Sequence, residues 1–113
     1  MNYHNKTFRS VTNTPNGTVS GDTIFHYRQT GSIVTAEYTG GSIVFGQLLA
    51  SMDESGNLDM RYHHITDQGL IQTGTCQSAP ELLPDGRIRL HESWKWTSGD
   101  ASSGHSIIEE FPD

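Results

Sequence analysis

Apolar and polar side chains alternate along most of this chain with a period of two residues. In residues 87–97 one face consists of Ile88, Leu90, Trp94 and Trp96. Because successive side chains of a strand point to opposite faces, this pattern predicts a long strand with one face in a core and the other in water. Glu92 interrupts the pattern, because its position places a carboxylate on the tryptophan face.

Turn-forming residues divide the chain into eight segments of this kind. Glycine, proline and asparagine are frequent in the intervening pieces, where glycine tolerates positive φ and proline presets φ. The predicted strands are residues 8–11, 19–29, 33–39, 43–52, 58–65, 70–78, 87–97 and 105–111. The fourth is apolar on both faces, and Gly46 is a candidate for a bulge or bend within it. Residues 79–83 fit a single helical turn, and no segment has the length and period of an ordinary helix.

Eight consecutive strands joined by short turns predict an all-β fold in a single domain, residues 1–113. We expect an eight-stranded antiparallel up-and-down β-barrel, since closure removes the exposed edges of a meander. A sandwich is the alternative architecture, but the chain lacks the long connections of a Greek key. The small residues Gly74, Cys76 and Ser78 share one face of the sixth strand and leave room inside such a barrel. Eight strands enclose space for side chains or one small ligand.

Composition and charge narrow the classes of partner. The 113 residues are enough for one core, and the net charge is −6 with seven scattered Lys and Arg residues. Binding to nucleic acid or to an anionic membrane surface is therefore not expected, since both need clustered positive charge. The single cysteine, Cys76, excludes an internal disulfide and suits a reducing compartment. With no signal-like N-terminus, the sequence predicts a cytoplasmic protein.

The residues WKWTSG at positions 94–99, followed by a polar loop and a last apolar strand, resemble the late strands of avidin-type barrels of the calycin group. In that family a tryptophan strand and a Thr-Ser-Gly turn recur near the ligand pocket. The resemblance covers about a fifth of the chain and implies an avidin- or lipocalin-like barrel. The first half lacks the Asn and Ser pattern with which avidins hold the ureido group of biotin. Biotin as the ligand therefore does not follow.

Four further runs, DESGNL, RYHH, LPDGRIRLHE and WKWTSGD, together resemble a family of short bacterial proteins. This resemblance spans most of the chain. Members are often labelled N-acetylglutamate synthase, so the resemblance implies an acetyl-CoA-dependent acetyltransferase. Such an enzyme needs a pyrophosphate-binding loop that leads into a helix N-terminus, and this sequence has none. The residues themselves therefore favour binding over catalysis.

Polar and aromatic side chains that fall on the interior face form the predicted ligand site, which consists of Tyr27, Tyr38, Tyr62, His64, Glu92, Trp94 and Trp96. Pockets are mostly apolar with a few convergent polar groups, so Glu92 and His64 would fix a ligand while the indoles stack on it. A carboxylate inside a barrel costs several kcal/mol unless it is paired. Glu92 therefore needs a partner, and His64, Tyr62 and Arg28 are the candidates. The alternative is a polar network that only fixes the strand register.

Metal and cofactor sites are not predicted. His63 and His64 are adjacent on a strand and point to opposite faces, so they cannot ligate one ion together. Cys76 has no activating neighbours in the sequence and is expected to be a small buried thiol. The glycine-rich turns lack the phosphate-binding spacings.

The function that the sequence favours is binding of a small, partly apolar molecule in or at the mouth of the barrel. One alternative is an enzyme that uses Glu92 and His64 as an acid–base pair. The other is a structural or homo-oligomeric interaction module with a filled interior. A binder predicts a cavity of a few hundred Å³, whereas the filled module predicts none.

Overall fold

A computed structural model describes residues 1–112 and shows an all-β protein, a closed antiparallel barrel of eight strands. The strands are β1 Thr7–Asn13, β2 Ile24–Thr30, β3 Ile33–Gly40, β4 Ile43–Met52, β5 Leu58–Thr66, β6 Ile71–Leu82, β7 Ile88–Trp96 and β8 Ser103–Glu110. Each strand pairs with the next, and β8 pairs with β1. The predicted up-and-down barrel is confirmed. No helix within these residues is long and apolar enough to cross a membrane.

The period-two pattern places side chains on the faces that the sequence indicates. On β7 the residues Ile88, Leu90, Trp94 and Trp96 are buried, and their neighbours Lys95 and His91 are exposed. The same alternation buries Val34, Ala36 and Tyr38 on β3 and Gly74, Cys76 and Ser78 on β6. The core is therefore the barrel interior, lined by one face of every strand.

The second strand begins later than the sequence predicts, at Ile24 rather than at position 19. Before it, the backbone turns on itself, because Thr23 N donates to Ser20 O at 2.9 Å and Ser20 N donates to Thr23 Oγ1 at 3.1 Å. Such local bonds from Ser and Thr compete with pairing in a sheet. Residues 14–23, here called the strap, consequently form a loop that crosses one end of the barrel.

The helical turn predicted for residues 79–83 is wrong, because β6 continues as a strand to Leu82. Pro80 is tolerated in this strand because β5 pairs with β6 only as far as Ser78. Beyond that point β7 is the one strand of residues 1–112 that pairs with β6, so the missing N–H of Pro80 leaves no bond to β5 unmade.

The mixed pattern of β4 comes from an irregularity near its start. The register shifts between Ile43 and Phe45, so that Val44 and Phe45 are both exposed and Gly46 lies inside. Phe45 pairs across the outer wall with Ile65, and Ile65 pairs with the exposed Ile71. The outer wall therefore carries a short apolar row over three strands.

The N-terminal segment closes the end of the barrel opposite the strap. Tyr3 is fully buried, and its hydroxyl donates to Gly56 O at 2.6 Å. Its ring centroid lies 6.0 Å from that of Tyr27. Two backbone bonds, from Asn5 N to Tyr27 O and from Tyr27 N to Lys6 O, hold the segment against β2. We call residues 1–6 the plug.

Candidate functional site

A cavity of about 50 Å³ lies inside the barrel beneath the strap. All eight strands contribute to its lining, which consists of Asn13, Phe25, Tyr38, Leu48, Met60, Tyr62, His64, Cys76, Glu92, Trp94, Trp96 and Ser106, with Gly17, Thr18 and Val19 of the strap. At roughly 10–15 Å³ for each water-sized group, this space holds a handful of heavy atoms. The cavity is smaller than the few hundred Å³ expected from the sequence, so the barrel is neither wide open nor filled.

Six rings form a continuous aromatic wall around the cavity. The centroid of Trp94 is 5.4 Å from that of Trp96, and Tyr62 and His64 each lie 5.8 Å from Trp96 at near right angles. The wall continues from His64 to Tyr38 at 5.7 Å and from Tyr38 to Phe25 at 5.0 Å. Edge-to-face and tilted contacts of this kind stabilise ring pairs beyond their buried area. The wall is therefore a stable surface around the enclosed space.

Three of these rings each lie over a glycine of the neighbouring strand. The cross-strand pairs are Tyr38 with Gly46, Tyr62 with Gly74, and Trp94 with Gly104. A Cβ at any of the three glycines would overlap the ring beside it. Because glycine has no side chain, each ring lies flat against the barrel wall rather than across the interior. The glycines therefore leave the space that becomes the cavity.

Glu92 is partly buried and points into the cavity between two serines. Ser78 Oγ donates to its Oε2 at 2.8 Å, and Ser106 Oγ donates to its Oε1 at 3.1 Å. These partners come from the strands on either side, because Ser78, Glu92 and Ser106 are in register across β6, β7 and β8. Burial raises the pKa of Glu92, and the two hydroxyl bonds offset part of that rise.

The prediction that Glu92 pairs with His64, Tyr62 or Arg28 is wrong. Its partners are the hydroxyl groups of two serines. Arg28 lies on the outer face and donates to Asn5 Oδ1. The sequence does show Ser78 and Ser106 on the interior faces of the neighbouring strands. Their pairing with Glu92 can be predicted only when the strand register is known.

His64 is buried at one corner of the cavity, where both ring nitrogens are bonded. Its Nδ1 lies 2.9 Å from the Tyr38 hydroxyl, and its Nε2 lies 2.8 Å from Gln72 Oε1. Because the amide oxygen only accepts, Nε2 carries the proton and Nδ1 accepts from Tyr38. Burial lowers the pKa of His64, which keeps the ring neutral. His64 and Glu92 thus line the same cavity, but each is bonded to other groups.

Polar contacts hold the strap over the aromatic wall. Trp96 Nε1 donates to Asn16 O at 3.1 Å, and Thr18 Oγ1 donates to the same Gln72 oxygen as His64 at 2.7 Å. Trp94 Nε1 donates to Asn13 Oδ1 at 3.3 Å, just before the strap begins. Both indoles therefore serve two purposes, since their rings line the cavity and their N–H groups fix its cover.

Six of the seven predicted ligand residues line this one cavity. The exception is Tyr27, which is fully buried on the plug side and packs on Phe8 with centroids 4.8 Å apart. Its hydroxyl has no hydrogen-bond partner within residues 1–112. Burial and the nearby Glu92 raise the pKa of Tyr27, so it stays neutral. That any of the seven binds a ligand stays a prediction.

The other residues considered from the sequence are placed as follows. His63 points outward and contacts Gln47 at 3.2 Å, away from His64. Cys76 is buried inside, as expected, and burial raises the pKa of its thiol. Residues 1–112 bring no three His, Cys, Asp or Glu side chains together as a metal site.

Sequence reasoning missed Asn13 at the end of β1, the strap residues Asn16 and Thr18, and Gln72 on β6. Asn16 fell in a predicted turn and Gln72 in a predicted strand, while Asn13 and Thr18 fell between predicted elements. The Pro-Asn-Gly signal at 15–17 marked this region as a turn and nothing more.

Comparison with known proteins adds one finding. The chain matches the family described as avidin-like protein over residues 1–111. No curated protein and no solved structure matches it.

Proposed function

The chain belongs to the avidin-like family, and from that premise we propose that its barrel binds a small, partly apolar molecule in the cavity beneath the strap. The observation that supports this best is the cavity itself, enclosed by six rings and one carboxylate. A barrel that served only as a scaffold would gain stability by filling this space, since an empty cavity forfeits packing contacts. Here three glycines keep the space open.

The first experiment is native mass spectrometry combined with fluorescence titration of the purified protein. Trp94 and Trp96 are the two tryptophans of the sequence, and both line the cavity. Entry of a ligand from a library of small fragments should therefore change the intrinsic emission. We expect at least one compound to change it saturably and to raise the melting temperature, as mass action requires.

A pair of glycine variants supplies the control. Gly74→Ala adds a carbon that overlaps the Tyr62 ring and pushes it toward the cavity, whereas Gly21→Ala adds one that meets only an ordinary contact. We expect Gly74→Ala to weaken binding at least tenfold and to lower stability by about 1–3 kcal/mol through overpacking. Gly21→Ala should bind normally. Equal binding by both variants would place the ligand outside the cavity and contradict the proposal.

Self-association is part of the proposal because of the apolar row on the outer wall, formed by Phe45, Ile65 and Ile71. The exposed side chains of Val44 and Leu70, next to Phe45 and Ile71 in the sequence, extend the apolar surface at this end of the barrel. Exposed apolar groups of this kind are typical of protein–protein contacts. The mass spectrum of the intact protein gives the subunit number directly. A Phe45→Ser variant should shift the distribution toward monomer, and an unchanged distribution would remove this row from consideration. The cytoplasmic location stays a prediction.

A further inference from the structure

We propose that the cavity binds the protonated amino group of a small aliphatic amine, with the Glu92 carboxylate as its counter-ion. This inference rests on the proposed function and specifies the ligand class for the same site. Three properties of the cavity lead to it: its charge, its free hydrogen-bonding groups and the orientation of its rings.

The charge of the lining is negative and uncompensated. Glu92 is the one acidic residue among the lining side chains, and no Lys or Arg is among them. Burial disfavours the cation of His64, and its Nδ1 is placed to accept from the Tyr38 hydroxyl. An ionised carboxylate in such a place is stabilised most by a ligand that brings a positive charge. A ligand anion would instead be repelled.

The hydrogen-bonding groups point the same way. Both indole N–H groups donate to Asn13 and Asn16, and both serine hydroxyls donate to Glu92. Among the lining side chains of residues 1–112, the Tyr62 hydroxyl is the strong donor for which the structure shows no partner. Glu92 still has lone pairs on each oxygen, since each accepts one recorded bond. The site therefore has acceptors to offer and is poor in donors, which suits an ammonium group and not a carbonyl or carboxylate.

The aromatic wall presents ring faces on several sides of the same space. Trp94, Trp96 and Tyr62 meet at interplanar angles of 57° and 68°, so their faces are not parallel. A cation within about 6 Å of such a face is attracted by the ring quadrupole. Among the rings of Trp, Tyr and Phe, that of tryptophan attracts a cation most strongly. A volume of about 50 Å³ limits the enclosed group to a few heavy atoms.

Three compounds of four heavy atoms each test the ligand class: propylamine as the cation, propan-1-ol as the neutral molecule and acetate as the anion. Each is titrated into the protein at pH 7.5, with tryptophan emission and calorimetry as readouts and sodium chloride as the ionic-strength control. We expect propylamine to bind at least tenfold more tightly than propan-1-ol, and acetate not to bind. Propan-1-ol or acetate binding as tightly as the amine would overturn the inference and leave the proposed function intact. No response to these compounds or to the wider library would remove both.

Two variants make the role of the carboxylate testable. Glu92→Gln keeps the shape of the side chain and removes its charge, so propylamine affinity should fall at least tenfold while propan-1-ol affinity stays the same. Glu37→Gln removes one charge from the exposed face of β3 and should leave both affinities unchanged. Unchanged amine affinity in a folded Glu92→Gln protein would overturn the inference.

The pH dependence provides a further test. Tyr27, Tyr38, Tyr62 and Cys76 surround Glu92 from four other strands, and burial raises the pKa of each above its ordinary value. They therefore stay neutral below pH 8. His64, whose pKa burial lowers, is neutral at pH 7.5 and takes up a proton only at lower pH, so the pH profile is also measured in the Glu92→Gln protein, which reports any contribution of His64 alone. As pH falls through the raised pKa of Glu92, the carboxylate takes up a proton and amine affinity should fall. Affinity that is constant down to pH 4 would contradict the role given to Glu92.

Discussion

The two ends of the barrel are closed in different ways. At one end the plug buries Tyr3 completely among fully buried side chains such as Tyr27, Phe8 and Leu58. At the other end the strap lies over the cavity, and polar contacts through Trp96, Thr18 and Gln72 hold it there. Burial of a large apolar side chain contributes several kcal/mol, whereas a partly exposed hydrogen bond contributes about 1 kcal/mol. We therefore expect the plug to stay closed and the strap to open first.

The largest effect on stability is expected at the plug. Tyr3→Ala removes a fully buried ring, which should lower the free energy of unfolding by about 3–5 kcal/mol in urea denaturation. Tyr3→Phe is the matched control, because it removes only the bond from the hydroxyl to Gly56 O, worth about 1 kcal/mol. If the two variants lost equal stability, the plug would not be a packed closure and the contrast between the ends would disappear.

A smaller effect of opposite sign is expected at Glu92, between the two ends. Its pKa is raised in the folded state above the ordinary 4.5. The folded protein therefore binds this proton more tightly than the unfolded chain does, and ionisation of Glu92 opposes folding as pH rises through the folded pKa. Replacing Glu92 with Gln should stabilise the barrel at pH 8, by an amount of order 1 kcal/mol or roughly 4 °C in melting temperature. The gain should vanish near pH 4.

The melting curves of the two proteins across pH 4–8 check this expectation. Glu37→Gln, on an exposed strand face, should show no comparable gain. A loss of stability in Glu92→Gln at pH 8 would mean that the bonds from Ser78 and Ser106 to the charged carboxylate outweigh its desolvation. In that case the role of Glu92 would be to stabilise the fold, as the plug does, rather than to bind a ligand.

The smallest change in stability is expected at the strap, together with a clear change in access. Thr18→Val removes the bond to Gln72 Oε1, which contributes about 0.5–1 kcal/mol. Cys76 is the one cysteine of the sequence and lies inside the cavity, so its rate of reaction with a thiol reagent measures opening. If opening is a rapid pre-equilibrium, the rate should rise roughly two- to fivefold.

Thr39→Val, on the exposed face of β3, is the control and should leave the labelling rate unchanged. Comparison with Tyr3→Ala makes the test decisive for the two ends. Faster labelling in the folded Tyr3→Ala protein, with no change in Thr18→Val, would mean that the cavity is reached from the plug side.

The fold and most of the cavity wall follow from the sequence, because alternation alone decides which side of a strand each residue faces. Which residues lie opposite each other on neighbouring strands is harder to predict from the sequence. A three-residue turn at 67–69 directly places Tyr62 beside Gly74. A two-residue turn at Gly40–Gly41 would place Tyr38 beside Ile43. In the structure Gly40 itself pairs with Ile43, so the turn lies at 41–42, and a register shift between Tyr38 and Gly40 moves the partner of Tyr38 to Gly46. A bulge depends on packing across the barrel, which local pattern does not contain.

Part of the strap could have been recognised from local pattern. The predicted second strand begins at Val19, but Ser20, Gly21 and Asp22 are turn-forming residue types. The turn that removes them from the sheet is formed by Ser20 and Thr23. The serine partners of Glu92 were hidden, since they lie on β6 and β8 and meet it only in the paired sheet. For these serines the missing information is long-range pairing rather than residue type.

The three ring–glycine pairs limit how far the cavity can widen for a larger ligand. Tyr38, Tyr62 and Trp94 already rest against the backbone of the next strand, so none of them has room to retreat outward. Widening the chamber sideways would require neighbouring strands to separate and their ladder of backbone bonds to break. The cavity can therefore lengthen only along the barrel axis, toward the strap. A long ligand should bind with one terminal group among the rings and with the rest of its chain extending past the strap into solvent.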